Sequence, residues 1–218
     1  MWFHAKNINT DNITMNNSQI KQPEIKSNVN KAGPDDGASA LVTIVLAFSS
    51  DPQFRWLWPE AGAYLEYSPK FFEAFGGNAF SSDTAFYTSD FSGVALWLPP
   101  GVHPDEESLL ALLDAAAPAS KRPAVMEVLE QMDHYHPDEP HWHLPLIGVD
   151  PAKQGSGYGS QLLQHTLEVI DRRGEIAYLE NTNPVNTPLY KRFGFEEVDV
   201  IRVDGAPPLF PMIRYPNR

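Results

Sequence analysis

The sequence predicts one α/β domain in which short strands and amphipathic helices alternate along the chain. Three observations lead to this. Apolar residues recur with period 2 in some segments and at three- and four-residue spacing in others. Gly, Pro, Asn and Asp separate those segments. A glycine-rich loop at 154–159 joins an apolar strand to a strongly patterned helix.

Residues 1–22 are polar and rich in Asn (Asn7, Asn9, Asn12, Asn16, Asn17), an extension ahead of a domain spanning 23–218. Residues 24–32 alternate weakly, as an edge strand does. A turn at 33–36 feeds a helix carrying Leu41, Ile44, Val45 and Phe48. Asp51-Pro52 ends that helix, because the residue before proline is driven out of the α region. The aromatic stretch 54–59 precedes a second helix over 60–75, closed by Gly76-Gly77-Asn78. Strands follow near 85–88 and 92–98, the latter stopped by Pro99-Pro100-Gly101. Helices are expected over 105–117 and 123–136. Pro123 sits in the first turn of the latter, where its missing N–H is harmless, and Val125, Val128, Leu129 and Met132 line one face. After the strand 141–149 and the loop, Leu162, Leu163, Thr166, Leu167 and Ile170 mark a helix that Gly174 stops. A strand at 175–180, a short helix near 187–193 and strands near 196–203 and 209–215 complete the chain.

Composition narrows the function. The chain has 218 residues, 42% of them apolar, with 16 basic against 28 acidic side chains and a net charge of −12. Such a surface disfavours a nucleic-acid partner, since neutralising phosphates needs basic residues. The absence of cysteine excludes disulfides, thiolate metal sites and an acyl-cysteine intermediate. With neither a signal-like N-terminus nor an apolar run of spanning length, a soluble cytoplasmic protein with no membrane partner is expected.

In the loop, Gln154-Gly155-Ser156-Gly157-Tyr158-Gly159, glycines let the backbone approach a ligand closely. The unpaired N–H groups and positive end of the following helix favour a phosphate. A dinucleotide fold competes for this reading, and Glu180 stands about where its ribose-binding acid would. Its fingerprint is G-x-G-x-x-G, however, whereas the glycines here run G-x-G-x-G. Too little chain follows for further βα units.

The chain resembles the GCN5-related N-acetyltransferases (GNAT). Gln154, Gly157 and Gly159 match their [Gln/Arg]-x-x-Gly-x-[Gly/Ala] signature. The preceding Ile147-Gly148-Val149-Asp150-Pro151 matches their fourth strand, and Asn183 with the run 189–195 (LYKRFGF) matches their Asn…Leu-Tyr-x-x-x-Gly-Phe element. The resemblance is clear over 141–203 and reaches back to Ile25. Residues 99–140 depart from it as a helical insertion, which together with residues 96–101 (LWLPPG) is similar to the puromycin acetyltransferase-like subgroup.

That resemblance implies a mixed, mostly antiparallel twisted sheet with helices on both faces, splayed between its fourth and fifth strands. It implies transfer of an acetyl group from acetyl-CoA to a primary amine by direct attack in a ternary complex. The backbone of Ile147, Gly148 and Val149 would pair with the pantetheine arm. Gln154, Gly155, Ser156, Gly157, Tyr158, Gly159 and Ser160 would wrap the pyrophosphate. Asn183 and Asn186 would lie beside the arm and the thioester. Tyr190 would protonate the departing thiolate, which is chemically reasonable for a phenol titrating near about 10 and a thiol near about 8.5. Phe54 and Trp56 fall where such enzymes face the acceptor.

The amine must also lose a proton, since an alkyl amine is only about 0.1% neutral near pH 7.4, a handicap of about 4 kcal/mol. His143 and Glu180 are the candidate bases. His141, two residues before His143 on the same strand face, is a candidate acceptor contact. His134, His136, His141 and His143 could also suggest zinc, but Pro137 and Pro140 separate the two pairs, and no metal is expected. The acceptor expected is a small-molecule amine, with homodimerisation left open. A non-catalytic acyl-CoA-binding sensor on the same fold is the alternative.

Overall fold

The computed structural model describes residues 29–88 and 90–216. The Asn-rich extension and the first part of the strand expected at 24–32 lie outside the described residues.

The chain opens with β1 (Val29–Lys31) and a 3-10 turn at Pro34–Asp36, then α1 (Gly37–Ala47), α2 (Pro52–Leu57), α3 (Ala61–Gly76) and α4 (Asn78–Ser81). Strands β2 (Ala85–Thr88) and β3 (Gly93–Leu98) lead to α5 (Glu106–Ala116) and α6 (Arg122–Tyr135). Then come β4 (His141–Val149), α7 (Tyr158–Arg173), β5 (Ile176–Asn181), α8 (Thr187–Arg192), β6 (Glu196–Glu197) and β7 (Phe210–Arg214). The seven strands form one sheet in the order β1-β2-β3-β4-β5-β7-β6. Every pair is antiparallel except β4 with β5.

Helices cover both faces. Val94, Leu96 and Leu98 of β3 pack with Leu146 under α1 to α6, while Ala95 and Trp97 pack with Leu162, Leu163 and Leu167 of α7 on the other side. With both faces buried, β3 reads as a continuous apolar run rather than an alternating one. β3 and β4 remain antiparallel neighbours although α5 and α6 stand between them in the chain.

Three sequence expectations need correction. Asp51-Pro52 does not end α1, which stops at Ala47. The Asp51 carboxylate accepts the N–H groups of Gln53 at 2.9 Å and Phe54 at 3.4 Å, with Pro52 at the first helical position, so the pair starts α2 inside the aromatic stretch. Gly77 keeps right-handed helical angles, so the chain runs on into α4 where a stop was expected. The strand expected over 196–203 shrinks to the two residues of β6 and a single bridge between Ile201 and Leu209.

Gly148 shows how closely the layers approach. A Cβ there would lie 2.6 Å from the Ala47 Cβ and 3.2 Å from the Ile44 Cδ1, so α1 rests directly on the β4 backbone. Gly148→Val should therefore destabilise the fold by about 1–3 kcal/mol. Denaturant titration would read this, and an unchanged midpoint would show that α1 moves aside without cost.

Candidate active site

β4 and β5 pair only at His141–Ile176, Trp142–Ala177 and His143–Tyr178. Past those residues the strands part, so the β5-facing backbone of residues 144–149 has no strand partner while the other edge still bonds β3. Two cavities occupy the opening.

The first is polar, about 440 Å³. Ile147, Gly148 and Val149 form one wall, the glycine loop a second, and Asn183, Asn186, Leu189 and Tyr190 a third. Of the loop residues nominated from sequence, Gln154, Gly155, Gly157, Tyr158, Gly159 and Ser160 line it and Ser156 does not. Gly155 and Gly157 have φ of +78° and +88°, the left-handed region that costs other residues about 1–2 kcal/mol. No heavy atom lies within 4 Å of where a Cβ on either would stand. Gly157 is also the N-cap of α7, whose first intrahelical bond runs from the Gln161 N–H to the Gly157 carbonyl at 3.0 Å. The N–H groups of residues 158–160 thus lack helical partners at the cavity wall. Lys153 and Arg192 add two cations to the lining. Sequence reading passed over both, although each sits beside a nominated element.

The second cavity is apolar, about 110 Å³. Phe54 and Trp56 of α2, Phe75 of α3, and Val128 and Met132 of α6 contribute to its wall. Among the described residues, Glu180 is the one charged side chain lining it. Phe48, Ile147, Asn186 and Tyr190 line both cavities, so the two meet at that point.

Glu180 is held between imidazoles. His143 Nε2 donates to its Oε2 at 2.8 Å, and His136 Nε2 donates to its Oε1 at 2.9 Å. Its side chain is only 3% exposed. Burial alone would raise its pKa, but the charge of His143 and the hydrogen bonds of both imidazoles outweigh burial and hold the carboxyl well below the usual range. Burial acts to lower His136, and the hydrogen bond and charge of Glu180, with the charge of Asp133, leave it net raised. Behind them, His136 Nδ1 meets His141 Nε2 at 3.3 Å, and His141 Nδ1 donates to the Glu139 carbonyl at 2.9 Å. Neither His141 nor His143 lines either cavity. Burial first, then the neighbouring imidazoles, lower the pKa of His141.

Pro137 and Pro140 do not keep the histidines apart, contrary to the sequence reading. They turn the chain so that His136, leaving α6, folds back onto β4 and β5. His136, His143 and Glu180 bring three ligand atoms within 4.8 Å of one another, a donor set suited to a divalent metal. In this arrangement the two imidazoles and the carboxylate satisfy each other. Asp51 is a further acid that sequence reading took only as a helix stop. It lines the polar cavity, accepts the Thr182 hydroxyl at 2.5 Å, and is raised by burial.

Residues 119–197 match the family model of the Acetyltransferase (GNAT) domain. An uncharacterised N-acetyltransferase of Schizosaccharomyces pombe is 26% identical over 84% of this chain and 81% of its own. A crystal structure of histone acetyltransferase HPA2 and related acetyltransferase from Corynebacterium glutamicum superposes with a TM-score of 0.61 at 26% identity, covering 87% of this chain and 96% of that one. Over residues 119–197 the chain is thus similar to the GNAT acetyltransferase domain, and the relatives it matches are named N-acetyltransferases. N-alpha-acetyltransferase RimI of Mycobacterium tuberculosis is 39% identical over 71 residues, 30% of this chain and 44% of that protein.

The GNAT domain match ends within β6, so it spans the glycine loop, Glu180 and Tyr190 but not α1 to α4. No helix among the described residues is long and apolar enough to cross a membrane. If the left-handed Gly157 serves ligand approach, Gly157→Ala should weaken acetyl-CoA binding about tenfold while leaving the far-UV spectrum intact. Calorimetric titration would detect the change, and wild-type affinity would remove the loop from the binding surface.

Proposed function

We propose that this protein is a GNAT acetyltransferase that moves the acetyl group of acetyl-CoA directly to the primary amine of a small-molecule acceptor, with donor and acceptor held together in the opening between β4 and β5. The observation that carries this reading is the meeting of the two cavities at Ile147, Asn186 and Tyr190. One cavity has backbone donors and cations suited to a pyrophosphate, and the other has an apolar wall and a single carboxylate suited to an amine.

When bound, acetyl-CoA supplies an activated thioester. The unpaired edge of β4 at Ile147, Gly148 and Val149 is free to take the amide groups of a pantetheine arm as a strand would. The first-turn N–H groups of α7, with Lys153 and Arg192, hold the phosphates. Asn186 orients groups at the junction, and Asn183 shapes the turn beside it by accepting the Val185 N–H at 3.1 Å.

Glu180 is the group that meets the amine. Ionised, it draws in and orients the ammonium form. His143 lines neither cavity and acts through Glu180, holding its Oε2 by Nε2. Tyr190 stands at the junction as the donor for the sulfur. Burial first, and the charge of Asp51 second, push its phenol above the ordinary value. It is therefore a weaker acid than the sequence suggested, but a thiolate forming in the same dry site also binds its proton more tightly.

The test is thiol release from acetyl-CoA across a panel of primary amines, with acetyl-CoA binding measured alongside. Release with at least one amine is the expected result. Binding without release across the whole panel would overturn the reading in favour of an acyl-CoA sensor.

A further inference from the structure

We infer that the acceptor is an apolar primary amine, with one ring or a short alkyl chain on its nitrogen-bearing carbon chain and no carboxylate, phosphate or second ammonium. This rests on the acetyl-transfer reading above and names the acceptor class for the same site.

The cavity that opens onto Tyr190 has aromatic and aliphatic walls on several sides. α2 and α3 bring Phe54, Trp56 and Phe75, and α6 brings Val128 and Met132. Among the described residues, no Lys or Arg lines it. Two cations beside those helices are engaged elsewhere. Lys121 Nζ donates to the Trp56 carbonyl, and Arg55 donates to the Pro59 carbonyl at 2.5 Å. An acceptor carboxylate would therefore lose its water without gaining a partner, which is costly in an apolar site. It would also face the ionised Glu180.

A second ammonium fares no better. Among the described residues, Glu180 is the one acid in the lining, and both its oxygens already accept an imidazole N–H. It has lone pairs left for the reacting nitrogen, but a further cation on the same molecule would sit against Phe, Val and Met. Size points the same way. The space is about 110 Å³, compared with roughly 150 Å³ for an apolar protein cavity that admits benzene. Being smaller than that, it takes one ring or a short chain only with the amine-bearing end reaching out to the junction at Tyr190, and it does not take a peptide segment.

The experiment compares three amines with the full chain and saturating acetyl-CoA, reading thiol release. They are 2-phenylethylamine, phenylalanine (the same body with a carboxylate) and putrescine (a short chain with a second cation). The expected kcat/KM for 2-phenylethylamine exceeds that of each of the others by at least 100-fold. Met132→Arg places a cation in the wall and should narrow the 2-phenylethylamine to phenylalanine ratio at least tenfold, with unchanged acetyl-CoA binding reporting that the variant is folded. Phenylalanine or putrescine turning over as well as 2-phenylethylamine would overturn the acceptor class while leaving acetyl transfer in place. No release with any of the three, nor with a broad amine panel, would overturn both.

Discussion

Tyr190→Phe is expected to lower kcat by about 100-fold, within the usual range for loss of a general acid, with the acetyl-CoA dissociation constant unchanged. The change removes one oxygen from a side chain that is 6% exposed and lines both cavities. Its ring contact with Phe195, at 6.1 Å between centroids, is retained in Phe. Stopped-flow turnover and calorimetric binding separate the two effects. Wild-type turnover would remove Tyr190 from the chemistry and leave it as packing between α8 and the sheet.

Glu180→Gln should reduce kcat/KM for the amine about 100-fold and destabilise the fold by about 3 kcal/mol, the lower end for breaking a buried charge pair. Gln keeps the shape but cannot hold an imidazolium. The pH dependence of the stability difference follows from the two shifts. The Glu180 carboxyl is depressed, so its contribution is present above the unfolded value of 4.5 and fades as pH falls below it. His136 is raised, so its contribution is complete below 6.5 and fades as pH rises past its folded value. The gap between wild type and variant should thus be widest between about pH 4.5 and 6.5 and shrink on both sides. Urea titrations across that range would check it. A gap that keeps growing above neutral pH would show that Glu180 and His136 are not electrostatically paired.

What the sequence made legible was local. The glycine loop, β4 and α7 were readable because their constraints act within a few residues: left-handed glycines, a cap, a 3.6-residue stripe. The ambiguous signals were those with two local meanings. Asp51-Pro52 fits a helix end and a helix start equally, and the chain uses it as the start of α2, α1 having already ended at Ala47. The charge network was out of reach for another reason. His136 and Glu180 are 44 positions apart, and Asp51 and Thr182 are 131 apart, so no periodicity connects them. The proline-flanked turn after α6 looked like a separator and instead reverses the chain.

That reversal ties two properties together. α6 supplies Val128 and Met132 to the wall of the apolar cavity, and the residue that ends it, His136, holds the charge state of Glu180. Tilting or shortening this helix to admit a different molecule would also shift the carboxylate's hold on its proton. Residues 99–140 therefore behave as a cassette. Grafting them between related enzymes should transplant choice of acceptor and optimum pH as a unit, and changes in either are expected to be inherited together.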